Sequence, residues 1–171
     1  MSEVGSDATR LTMDRPLIWS ESLVVGHDEL DKDHRRLVML INELCTSYGA
    51  TRDTAESTRA LSALMAAADQ HVRHETLVLR EFSRRLEEPR NLHPPHHLKA
   101  IVDAAIDDHI ADHEILLDRL AEVARRVDRG LFAEGASLCQ EVEKWFLDHA
   151  IEYDLRIKAI VHSMRPYRAR R

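Results

Sequence analysis

Four times along this chain, apolar residues recur at every third or fourth position, and each time the stripe admits histidine. The first stripe carries His34 among Leu37, Val38, Ile41 and Leu44. The second runs from Leu61 and Leu64 through His71 and Glu75 to Leu79, Phe82 and Leu86. The third runs Leu98, Val102, Ile106, His109, His113, Leu116, Leu120 and Val123. The fourth starts near Phe132 and reads Leu138, Val142, Trp145, Phe146, His149, Tyr153, Ile157 and Ile160. Such spacing puts the apolar groups on one face of a helix, a face that is stable only when buried against others like it. Glycine-containing or proline-containing breaks ("GATRDT", "EEPRNLHPP", "DRG") separate the stripes. The pattern predicts an all-α, up-down-up-down four-helix bundle with extended second and third helices. Five glycines and 5% aromatic residues fit this better than any sheet fold.

Residues 1–18 are polar and unpatterned and read as a flexible N-terminal arm. Residues 19–163 form the bundle, and 164–171 a basic C-terminal tail holding Arg165, Arg168, Arg170 and Arg171. The second and third helices, each roughly 30 residues or about 45 Å long by helical rise, extend together. Leu79, Phe82 and Leu86 are expected to pack on Leu98, Ile101 and Ala105 in a two-helix projection. A net charge of −6 argues against a general nucleic-acid binder. No apolar run is long enough for a membrane span, and the N-terminus has no signal-peptide core. Cys45 and Cys139 lie far apart and outside any C-x-x-C pattern, so they read as reduced core residues of a cytoplasmic protein.

Five of the eleven histidines lie on the apolar stripes: His34, His71, His109, His113 and His149, with at least one from every helix. Glu75 follows His71 by one turn on the same face, because side chains at i and i+4 are neighbours. Any one such histidine is ordinarily a hydrogen-bonded core residue. Five converging with a carboxylate would cost several kcal/mol to bury without strong partners, a difficulty that metal coordination removes. His27, His74 and His162 fall off the stripes. His93 and His97 share the four-residue spacing, but Pro94 and Pro95 between them forbid one continuous helix face.

These residues resemble the hemerythrins, most closely the bacterial ones. The resemblance rests on Trp19, "VGHDELDKDHRRL", "HVRHE", "HIADH" and "WFLDHAIEYD", in the family's order over about residues 17–160. It implies that His34 and His71 bind one iron, that His109, His113 and His149 bind the other, and that Glu75 and Asp154 bridge the two. By spacing alone Asp154 lies about 140° round an ideal helix from His149, and Glu152 or Tyr153 lies nearer that face. The family's H-x-x-x-x-D pattern selects Asp154, which a local widening of the helix would turn inward; Glu152 stays an alternative. The interval from Glu75 to His109 is longer than the family usually shows, and His27 replaces what is usually a small apolar residue.

The implied cofactor is an oxo- or hydroxo-bridged pair of iron ions. Two six-coordinate metals take five imidazoles, two bridging carboxylates and one shared oxygen, which leaves a single vacancy on the metal held by His34 and His71. In the family that vacancy takes dioxygen, and Trp145 and Leu116 are expected to wall it with apolar groups. The implied role is reversible binding rather than catalysis: a dioxygen carrier, store or sensor. Nitric oxide or peroxide would use the same position. A protein partner would meet the extended helix pair or the basic tail. A ferritin-like di-iron oxidase or iron store would need paired Glu-x-x-His motifs, which are absent. A zinc hydrolase would need the second histidine that "HETLV" lacks.

Overall fold

Asp28, Glu29 and Asp31 crowd the first turn of helix α1, Asp28–Thr51, where their charge opposes the helix dipole. Asp31 also reaches back to accept from the backbone N–H groups of Val25 (2.8 Å) and Gly26, whose φ of 85° turns the chain into the helix. α2 spans Thr54–Arg85, α3 spans His96–Asp128 and α4 spans Gly135–His149. The fourth rod continues through a π-helical turn, Ala150–Asp154, into α5, Leu155–Met164. The computed structural model describes residues 16–51, 54–86, 96–132 and 135–164.

The rods close into a ring, α1 on α2, α2 on α3, α3 on α4 and α4 back on α1. Neighbours run antiparallel: Thr58 at the start of α2 donates to Asp128 at the end of α3 (3.0 Å), and Ser83 near the end of α2 meets Asp103 near the start of α3. Gly130 ends α3. At φ 66° it donates to the Val127 carbonyl while Leu131 donates to Arg126, the paired bonds of a Schellman cap. Among the described residues there is no strand, and no helix is long and apolar enough to cross a membrane.

Two apolar clusters fill the bundle. The larger gathers Leu37, Ile41, Leu44, Leu64, Leu120, Val127, Leu138, Val142 and Phe146 with their neighbours. The smaller joins Val25, Leu30, Val78, Leu79, Ile106, Ile157 and Val161. The histidines lie between them.

The second and third helices are long, at 32 and 33 residues, but they do not project as a bare pair. α5 lays Ile157 and Val161 against Val78, Leu79 and Ile106, because those residues return to the inner face after the π turn. Val102 and Ile106 form the inner face of α3 there, whereas Ile101 and Ala105, expected inside, are exposed. Leu98 and the His93 segment fall outside the residues whose side chains are described. So do 1–15 of the N-terminal arm and 165–171 of the tail. At the arm's end Leu17 exchanges two hydrogen bonds with the Asn42 side chain (2.8 and 3.0 Å), so the bundle captures the chain before residue 19.

The cysteines correct the sequence reading. Cys45 and Cys139 are joined in a disulfide across the α1–α4 contact, with Cα atoms 5.4 Å apart and 94 residues between them. Each sits on the face its helix turns to the other, a pairing that sequence spacing cannot reveal.

Candidate metal centre

All seven donors predicted from the stripes and the resemblance come together. His34 is delivered by α1, His71 and Glu75 by α2, His109 and His113 by α3, His149 by the end of α4, and Asp154 by the π turn. Each is buried, from 0% exposure at His34 and Glu75 to 9% at His109. An α-helix would carry Asp154 past the core. The π turn, with its i→i+5 bonding, holds one extra residue and brings the carboxylate round to the side of His149. Asp154 is 1% exposed, whereas Glu152, the alternative left open by spacing, faces solvent.

The donors divide into two unequal sets about the carboxylates. Asp154 Oδ2 lies 2.9 Å from His34 Nε2 and 3.7 Å from His71 Nε2. Its other oxygen, Oδ1, lies 3.0 Å from His149 Nε2. Glu75 Oε2 lies 2.8 Å from His113 Nε2, 3.3 Å from His109 Nε2, 3.6 Å from His149 Nε2 and 3.8 Å from His71 Nε2. Asp154 thus parts His34 and His71, at Oδ2, from His149, at Oδ1, while His109 and His113 gather at Glu75 and His149 approaches both carboxylates.

These groups share a space more than they pair. Nε2 of His34, His71, His109 and His149 is buried without an aligned hydrogen bond, as are Glu75 Oε1 and both Asp154 oxygens. So many orphaned polar atoms would cost several kcal/mol. Neighbouring donors about 2.1 Å from a common cation are themselves about 3 Å apart, close to the shorter separations seen. Donors from His71, Glu75, His149 and Asp154, and from Glu75, His109 and His113, form two groups compact enough to hold a metal ion. The residues present fit a cation. His34 is also prepared for it: its Nδ1 is 2.8 Å from the Leu23 carbonyl, which fixes Nδ1–H and leaves Nε2 free to coordinate.

Electrostatics agree. Burial and the Asp154 charge push the Glu75 pKa up, but the imidazoles of His109, His113 and His149 close to its carboxylate outweigh them and hold it well below the usual carboxylate range. Asp154 is likewise depressed, its burial overcome by His149, His34 and His71. Burial lowers His149, and the Asp154 and Glu75 carboxylates carry it the other way, to about 10. Burial dominates at His113, whose pKa falls. Without metal the carboxylates stay ionised and draw protons onto some imidazoles; a metal displaces those protons.

Trp145 and Leu116 meet as neighbours: the indole N–H donates to the Leu116 carbonyl at 2.8 Å. Both border a cavity of about 190 Å³ against His149, on the three-histidine side. On the two-histidine side it is Phe146 that lies edge-on to His34, ring centroids 6.0 Å apart. Phe146 and Tyr153 both lie on the fourth stripe, and their offsets of −3 and +4 from His149 place both beside it. Tyr153 stacks on His149 at 5.7 Å. His74, off the stripe, bonds Asp33 (2.6 Å) instead of the cluster.

No curated protein matches the chain. The family model of the hemerythrin HHE cation-binding domain matches residues 25–158, an interval that contains all seven donors. Over that length, and with its donors gathered as described, the chain belongs to the hemerythrin family.

Proposed function

We propose that this protein is a non-haem di-iron protein that reversibly binds dioxygen at one open iron position, serving as carrier, store or sensor. The observation that carries the reading is the unequal division of imidazoles, two against three, about Asp154 and Glu75. Glu75 and Asp154 would hold both ions, and the ion held by His34 and His71 would have the fewer protein donors. Two ferrous ions would supply the electrons that hold the gas reversibly.

The protein's own residues act by holding and excluding. Leu23 fixes the His34 tautomer. Phe146, 1% exposed, keeps water from the His34 edge. In the metal-free chain Glu75 and Asp154 are held ionised, so neither carboxylate is a proton source. An apolar surrounding without a carboxylic acid favours release of the gas over its reduction. Histidines outnumber carboxylates five to two, which sets the cluster apart from the carboxylate-rich sites of ferritin-like oxidases.

An absorption spectrum of the purified protein taken anaerobically, then in air, with iron counted per chain, tests this. Two irons and visible bands that appear in air and vanish on deoxygenation are expected. An iron-loaded protein whose spectrum ignores air overturns gas binding and leaves the metal centre standing.

A further inference from the structure

The cavity of about 190 Å³ beside the cluster opens on the three-histidine side. On the proposed ligand count the metal on that side would have no vacancy, so the cavity would serve no gas-binding position there. Its lining includes the His149 imidazole, 4% exposed, whose Nε2 faces the Asp154 and Glu75 carboxylates of the cluster. Asp112, Asp148 and Glu152 line its walls together with Arg119. Lys144 holds Asp148 at 2.7 Å, so the acidic excess at the mouth is modest. Oxygen donors still line the way to His149.

Tyr153 borders this cavity. Its half-buried ring stacks on His149 (centroids 5.7 Å apart, planes 26° apart) and leans on His109 (5.6 Å, 55°). Its hydroxyl hydrogen-bonds Asp112 on α3, and the Arg156 guanidinium covers the ring at 5.7 Å. One side chain thus shields two of the three imidazoles from the surface, and it is anchored by contacts weak enough to break locally.

We propose that Tyr153 is the shutter of a cation-exchange port, with divalent metal reaching and leaving the buried centre along this cavity when the phenol swings off His149 and His109. The inference rests on the metal-binding reading of the cluster. The rival route is wholesale opening of the bundle. A shutter slows uptake and release alike and leaves the equilibrium untouched, whereas a weakened site changes release alone. If bundle opening were the route, Leu138→Ala, a core change away from this cavity, would speed exchange as much as Tyr153→Ala does.

The test uses the full chain stripped of metal. Cobalt(II) uptake is followed by visible absorption and release by excess chelator. Tyr153→Ala should raise both rates by the same factor, roughly tenfold for loss of a ring stack and a hydrogen bond, with two cobalt ions bound as before. Tyr153→Phe and Asp112→Ala, which keep the ring but free it, should each raise both rates by a smaller common factor. They carry the test if the alanine variant does not fold. Rates unchanged in these variants, or release that rises alone, overturn the port while the metal centre stands. A parent chain that takes up no cobalt overturns the port and the metal-binding reading together.

Discussion

The two halves of the metal centre are built to different standards of enclosure. His34 and His71 are 0% and 2% exposed, are backed by Phe146 and the larger apolar cluster, and have the Leu23 carbonyl orienting His34. His109 is 9% exposed, and with His149 it is screened from solvent by one half-buried phenol beside a cavity. The side with two imidazoles is the better sealed. On the proposed di-iron reading this is the side with the open position, useful only where water and stray protons are kept out, whereas a metal with a full set of protein donors would tolerate a thinner wall.

The comparison breaks most decisively at Glu75, the carboxylate that imidazoles of both halves approach. Glu75→Ala should drop bound metal from two ions per chain to nearly none, measured by elemental analysis; two retained ions would remove Glu75 from the centre. His109→Ala acts on one half only and should lower the count toward one. Phe146→Ala tests the sealed half. It should cost about 3–5 kcal/mol in unfolding free energy, the usual result of a large core cavity, and speed loss of the air-sensitive spectrum without changing the metal count.

A smaller effect is expected from protons. The His149 pKa is raised in the folded, metal-free chain to about 10 from an ordinary value of 6.5. The stability this contributes is complete below that ordinary value and is lost as pH climbs through the folded one. Metal-free protein should therefore melt at falling temperature between pH 7 and 10. Metal-loaded protein should show little of this slope, because a coordinated imidazole has no proton to lose. Equal slopes would mean that the metal does not displace the His149 proton. The smallest effect belongs to His74→Ala, which should leave the metal count unchanged because His74 faces Asp33.

Most of the centre was legible in the sequence because helical period and i,i+4 spacing are rigid rules. His34, His71, Glu75, His109, His113 and His149 lie on the faces that the stripes assign them. Asp154 needed the family pattern, since a strict 3.6-residue period favours Glu152 and only the π turn reverses that preference. The fourth stripe placed Ile157 inward, as found, but after the π turn it is Val161 and not Ile160 that goes fully under the extended helices. The exposed Ile101 shows the same limit: near the end of a long helix, an apolar residue does not announce which neighbour will cover it. The Cys45–Cys139 bond depends on two helices meeting after folding, information held by the packing and not by either local segment.

That bond lies some three turns from the donors on each helix it joins, His34 on α1 and His149 on α4. The two rods are thus riveted at one end and, on the proposed reading, left to bound metal farther along, like tongs whose jaws close only around their load. Emptying the jaws should loosen the grip end first while the rivet keeps the handles aligned, so that a vacant chain can be refilled without having to find its fold again.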